Sequence, residues 1–246
     1  MLNRPLSRQH LRAIQTALMN GPPSPPWTNV DKTKTAAILI SLCNVRDVGS
    51  ILLQVRSRTL RSHSGEVSCP GGMVDPEDVS LIDTALRETM EELGIQGNRV
   101  EPLGFLHPPE RSLRGDVVWP LVGFVHTTAE RKPQTDPDDE ALPSIDISAI
   151  QNSSSKDEVE LVFHLPLTEL INPTRLRAYL FRNERPYSAI DVSDLVPPNS
   201  GLTSVSTEPP QGEIGPGTEG RIEVWGLTGW YLSLLSSTLK SLFVEA

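Results

Sequence analysis

Apolar residues along this chain fall into short runs whose spacing switches between helical and alternating. At the start, Leu11, Ile14 and Leu18 recur at helical spacing, Arg4, Arg8 and Arg12 stand four apart, and residues 1–20 contain no acid. That pattern predicts a basic amphipathic helix. Gly21 to Pro26 then break the chain and set residues 1–26 apart as a helix and Pro-rich linker before a main domain over 27–246. Thr35 to Leu42 and Ile51 to Val55 are β-leaning runs separated by a turn over Asn44 to Ser50 that includes Gly49, a hairpin pattern. Arg99 to Leu106 and Val117 to Val125 predict two more strands. The loop between them, His107 to Asp116, is expected on the substrate side. Residues 129–157 are polar and expected mostly as exposed loop, with a short strand near Ile145 to Ile150. From Asp157 to Leu167 apolar and polar residues alternate and then turn helical, and Leu176 to Phe181 predicts another strand. Residues 187–220 are rich in Ser, Pro, Gly and Thr, which predicts a flexible insertion unable to bury enough surface to order itself. Ile222 to Trp225 resumes a strand, and Leu227 to Leu242 predicts an amphipathic helix.

Composition changes this picture modestly. Only 37% of the 246 residues are hydrophobic, while Gly (17) and Pro (22) are plentiful, which fits one core carrying loops and an insertion. The net charge of −9 disfavours non-specific nucleic-acid binding, so nucleic acid is not expected as a partner. No apolar run reaches the roughly 18 residues needed to span a bilayer, so no membrane partner is expected either. Cys43 and Cys69 lack a Cys-x-x-Cys pattern and read as reduced thiols of a soluble intracellular protein. The basic N-terminus fits either a mitochondrial presequence or an ordinary first helix, and the C-terminal Val-Glu-Ala is not a peroxisomal address.

The candidate chemistry lies between Gly65 and Ile95. Pro70, Gly71 and Gly72 break regular structure and let backbone come close to a ligand. A helix follows, capped by Asp75 or Asp78, given apolar contacts by Ala85, Leu86, Met90 and Leu93, and stopped by Gly94. On it Glu88, Glu91 and Glu92 stand at i, i+3 and i+4, so their carboxylates share a face and repel. Arg87, four residues before Glu91, can hold that carboxylate but cannot neutralise all three. Three glutamates alone would suit a solvated acidic face. Together with the Gly-rich approach they point instead to a hard divalent cation, Mg²⁺ or Mn²⁺, which takes oxygen ligands and can share them with substrate phosphates.

At these residues the sequence resembles the Nudix hydrolases. Gly72, five residues, Asp78, then Arg87-Glu88-Thr89-Met90-Glu91-Glu92-Leu93-Gly94-Ile95 follows their box, with Asp for the first carboxylate, eight residues instead of seven before Arg87, and Thr89 for an aliphatic residue. Upstream, Leu52-Leu53-Gln54-Val55-Arg56-Ser57, Arg61, Gly65 and Cys69-Pro70-Gly71-Gly72 resemble the additional motif of the coenzyme A diphosphatase branch, with Cys69 in place of Phe. Glu158-Val159, Pro166-Leu167 and Trp225-Gly226-Leu227-Thr228 match further pieces of that branch.

The resemblance implies an α/β fold, the α/β/α sandwich with a mixed sheet between helices. It implies metal-dependent hydrolysis of the diphosphate of coenzyme A or acyl-coenzyme A to 3′,5′-ADP and 4′-phosphopantetheine. Glu88, Glu91 and Glu92 are the expected metal ligands. Arg56, Arg61, Gly71 and Gly72 are expected to meet the substrate, and Arg87 to order the carboxylates. Either Glu92 or Glu158 would take the proton from water. Two other readings stay open: a diphosphatase for ADP-ribose or NADH, and a Nudix fold kept as a binding module. The 187–220 insertion could also be a partner-docking segment.

Overall fold

The computed structural model describes residues 2–23, 25, 27–129, 139–196 and 221–243. Strand β1 (Thr35–Val45) sets the layering. Its alternate residues Ala37, Leu39 and Cys43 enter one core, and Ile40 and Leu42 enter another, as the two-residue period of a strand buried on both faces requires. Along the chain, β1 is preceded by helix α1 (Arg8–Met19) and followed by β2 (Val48–Arg56), β3 (Val67–Ser68) and β4 (Gly71–Met73). Helix α2 (Leu81–Leu93), β5 (Val100–Phe105), β6 (Glu110–Arg111), β7 (Val117–Val125), helix α3 (Ile147–Ser153) and β8 (Val159–Pro166) come next. The chain then runs through β9 (Leu176–Phe181), β10 (Arg185–Asp191), β11 (Glu223–Val224) and helix α4 (Gly226–Phe243).

The main sheet is mixed. β1 pairs antiparallel with β2 and parallel with β7, in the order β3-β2-β1-β7-β5, and β8 pairs with β2. One face is covered by α2 and α3 through Leu81, Ala85, Leu93 and Ile150. The other face is covered by α1 and α4, through Leu11, Ile14 and Leu18 from the first and Leu232, Leu235 and Leu239 from the second. This is the α/β/α sandwich with a mixed sheet. A second sheet, β11-β10-β9, packs with α4 on the same side.

Several local expectations are corrected. The β1–β2 hairpin turns on two residues, Arg46 (φ 49°) and Asp47 (φ 61°), so the strands run on through Asn44 and Gly49. Two consecutive positive φ values give the turn whose twist matches the strands. Ile145 to Ile150 does not form a strand. Asp146 accepts from the Ser148 and Ala149 amides at 2.8 and 3.3 Å and caps α3. Tyr187 to Asp191, expected in the insertion, are strand β10, because Tyr187, Ala189 and Ile190 are buried against α4 and β9. The rest of that insertion from residue 197 onward, and residues 130–138 of the expected polar loop, lie outside the described residues. Helix α2 is capped by Ser80, whose hydroxyl accepts from the Asp83 amide, rather than by Asp75 or Asp78. Met90 points outward, 39% exposed, while the buried helix positions are filled by Thr84 and Thr89 as well as Ala85 and Leu93.

Candidate active site

Two pieces of chain form the site: the β4 glycines and the C-terminal half of α2. The Gly71 amide donates to Glu92 Oε2 at 2.9 Å, which ties the loop to the helix. Gly71 has φ 152°, and a Cβ there would stand 2.5 Å from the Ala37 carbonyl oxygen. A Cβ on Gly72 would stand 2.5 Å from the Glu88 carboxyl carbon. Glycine is therefore required twice, once for backbone geometry and once for the space that Glu88 occupies.

Glu92 is 3% exposed. Besides Gly71, it accepts from Gln54 Nε2 at 2.9 Å and from Arg56 Nη1 at 3.2 Å. Burial pushes its carboxyl up to about 7, against the lowering effect of Gln54, Gly71 and Arg56. Glu88 is also pushed up by burial. Arg87 lowers it, while the charges of Glu91 and Glu158 raise it. Glu158 enters this group from the end of the neighbouring strand pair: it precedes β8, and its carbonyl accepts from the Ser57 amide at 2.8 Å, beside Arg56.

Arg87 organises the outer side through five hydrogen bonds. Its Nε and Nη2 reach the two oxygens of Asp78 at 3.0 and 3.1 Å. Nη1 reaches Glu88 and Glu91 at 2.9 and 3.0 Å, and Nη2 also reaches the Met73 carbonyl at 2.9 Å. Asp78 also accepts from Thr84 Oγ1 and the Asp75 amide. Burial raises the Asp78 carboxyl, but Arg87, the Asp75 amide and Thr84 outweigh it and hold it below the usual range. Asp78 thus faces Arg87 and fixes the guanidinium that fixes Glu88 and Glu91. Thr89 is accommodated because its hydroxyl donates to the Ala85 carbonyl at 2.6 Å within the helix.

A cavity of about 450 Å³ opens beside these residues. Arg56, Gly71 and Gly72 line it, with Ile38, Cys69 and Val118 on its floor. Arg111, Ser112 and Leu113 of the loop between β5 and β7 form part of its mouth. Arg61 is exposed in the loop between β2 and β3 and lies outside the cavity wall. The Cys69 thiol, buried and beside Glu92, is pushed up to about 12 and stays protonated.

The donor set suits a hard cation. Glu88 feels the charges of Glu91 and Glu158, and Glu92 feels that of Glu88, and such repulsion is what a divalent ion would relieve. Two buried atoms beside Glu92, Gln54 Oε1 and Arg56 Nε, have no hydrogen-bond partner. An acceptor and a donor left open there fit a bound group carrying both charges, as a cation with phosphate oxygens does. Among the described residues, no three His, Cys, Asp or Glu side chains stand close enough together to hold a metal ion as they are placed. Gln54 was not legible as a site residue, although one amide inside the apolar run Ile51 to Val55 is the signal it leaves.

The mixed-sheet sandwich thus locks a glycine loop against an Arg-ordered row of glutamates on one helix. The chain belongs to the NUDIX domain family, whose model matches residues 32–177. It is 36% identical over 151 residues to an uncharacterized Nudix hydrolase, NudL, of Photorhabdus laumondii, covering 61% of this chain and 68% of that protein. It is 35% identical over 149 residues to Nudix hydrolase 3 of Caenorhabditis elegans, covering 61% of this chain and 54% of that one. The chain therefore spans from about half to about two thirds of the length of these relatives. A solved MutT/nudix family protein from Enterococcus faecalis overlaps 58% of this chain and 47% of its own, at 23% identity and a TM-score of 0.35. Among the described residues no helix is long and apolar enough to cross a membrane.

Proposed function

We propose that this chain hydrolyses a diphosphate linkage in a nucleotide-derived substrate, and that the substrate is coenzyme A or an acyl-coenzyme A. The observation that carries the reaction is the hydrogen bond from Gly71 to Glu92, which ties a glycine of the cavity wall to the carboxylate helix. Support for the substrate comes from the residues of the upstream motif: Arg56 lines the cavity and Gly71 and Gly72 form its edge.

Glu88, Glu91 and Glu92 would hold Mg²⁺ or Mn²⁺. When bound, the ion neutralises diphosphate oxygens and acidifies water. Arg56, which lines the cavity, offers a planar donor fork to phosphate oxygen, and its buried Nε has no partner within the protein. Gly71 and Gly72 let the diphosphate approach the backbone. Glu92 or Glu158 takes the proton from the attacking water, and the leaving phosphate departs on the opposite side. Arg87 acts through the carboxylates: it keeps Glu88 and Glu91 in register and is itself held by Asp78.

The test is product analysis by chromatography after incubating the protein with coenzyme A, acetyl-coenzyme A, ADP-ribose and NADH, with and without Mg²⁺ or Mn²⁺. Metal-dependent release of 3′,5′-ADP from the coenzyme A substrates is the expected result. Cleavage of ADP-ribose or NADH instead would keep the chemistry and discard the substrate. No cleavage of any substrate would leave the fold as a binding module.

A further inference from the structure

The far wall of the cavity comes from residues that the family model does not reach. That model ends at residue 177. Phe181 ends β9, Arg182 and Asn183 make the turn into β10, and Trp225 to Thr228 lead into α4, and all of them line the cavity. Across from them stand Ile38 of β1 and Val118 of β7. The same cavity is edged by Arg56, Gly71 and Gly72, so the far wall and the phosphate end belong to one continuous space.

Phe181, Trp225 and Leu227 give this wall its apolar part, beside the polar Arg182, Asn183 and Thr228. Phe181 is 3% exposed and stacks on Trp230 at 5.0 Å between centroids. Tyr187 meets the Phe181 ring edge-on, and the Arg182 and Arg185 guanidinium groups lie about 5 Å from its centre. Its faces are therefore taken, and it serves the cavity as a fixed hydrocarbon surface rather than as a platform for a stacked base. Ile38, Val118 and Leu227 are aliphatic. Of the charged residues in the lining, Arg111 and Arg182 are exposed, while Arg56 and Glu66 are half-buried on the side of Gly71 and Gly72.

We infer that Trp225 and Leu227, backed by the buried Phe181, form a specificity subsite for an extended aliphatic arm attached to the diphosphate. The inference rests on the diphosphatase reading and deepens it. It assigns preference to acyl-bearing substrates over those whose far end is a sugar or a nicotinamide ring. Burying each methylene of such an arm on hydrocarbon strengthens binding by up to about fourfold until the wall is covered.

The experiment is equilibrium binding by calorimetry on the full chain in chelator, with coenzyme A, acetyl-, butyryl- and octanoyl-coenzyme A. Affinity is expected to climb along the series, by at least tenfold from first to last. Trp225→Ala and Leu227→Ser should each flatten that climb, and a melting curve on each variant identifies a folding defect. Leu227 is partly exposed, so its substitution carries the comparison if Trp225→Ala does not fold. Equal affinity along the series, no binding of any member, or a climb unchanged in Leu227→Ser would overturn the inference. The cleavage assay stands apart. Metal-dependent cleavage with a flat binding series would keep the reaction and remove the subsite. A steep series without cleavage would keep the subsite and remove the reaction.

Discussion

At Gly72 one hydrogen atom separates a working arrangement from a blocked one. The Cβ of an alanine there would stand 2.5 Å from the Glu88 carboxyl carbon, so the carboxylate must swing away. Swinging it out costs the fold little, since burial already disfavours the Glu88 charge. It displaces the carboxylate proposed to hold the metal, and an error of about 1 Å at a reacting centre costs about a hundredfold in rate. Gly72→Ala is therefore expected to lower kcat/KM by about that factor while its thermal midpoint changes little; parallel rate and melting measurements check both. Glu91→Gln belongs with it. Glu91 is half exposed and held by Arg87, so its loss should abolish turnover without unfolding the protein, and an unaffected rate would place the metal elsewhere. These residues were legible because their chemistry is local: two glycines, an arginine and three glutamates lie within 22 residues of sequence. Gln54 and Asp78 were not legible in their roles. Gln54 reaches Glu92 across 38 positions, and Asp78 turns inward to Arg87 because Ser80 has taken over the helix cap.

Among the elements, α1 is joined to the sheet by charge as well as by its apolar stripe. Glu101 on β5 accepts from His126 Nε2 at 2.8 Å and from Arg8 Nη1 at 2.5 Å. The His126 bond first, then Arg8, hold the Glu101 carboxyl down at about 2, below its ordinary 4.5, although burial acts the other way. A depressed carboxylate binds fewer protons folded than unfolded, so its contribution is present above the ordinary value and is lost as pH falls toward the folded one. The thermal midpoint should therefore drop between about pH 5 and about pH 2, and Glu101→Gln should flatten that part of the curve. An identical slope in the variant would place the acid sensitivity elsewhere. Elements with a clear period were legible: α1, β1, β2, β7 and α4 follow their apolar spacing. The misread ones depend on partners distant in sequence. Strand β10 is polar enough to pass for loop until α4 buries Tyr187, Ala189 and Ile190. Ile145, just before the Asp146 cap, and Ile150, in the middle of α3, enter the core together around a short helix that Asp146 starts.

For the whole molecule, the core extends beyond the family-matched segment. The core on the α1 side includes Tyr231, Leu232, Leu235 and Leu239 of α4, each 0% exposed, together with Ile40, Leu42, Ile51 and Leu53 of the main sheet. Tyr231 also bridges the loop before β7 to that strand: its hydroxyl donates to the Val118 carbonyl at 2.7 Å and accepts from the Glu110 amide at 2.9 Å. At about 2 kcal/mol for each large buried side chain, those four account for about 8 kcal/mol of apolar burial. That is comparable with the net stability of about 5–15 kcal/mol typical of a domain. A chain ended after Arg177 keeps every residue the family model matches. It would remove Tyr231, Leu232, Leu235 and Leu239 from the core on the α1 side, and leave Val118 and Glu110 without their Tyr231 partner. Such a fragment is expected to aggregate or to show no cooperative transition by circular dichroism, whereas the full chain unfolds in one step. A fragment that melts cooperatively would mean that the second sheet and α4 are an attachment to a self-sufficient sandwich. The far wall of the cavity would then be separable from the carboxylate helix.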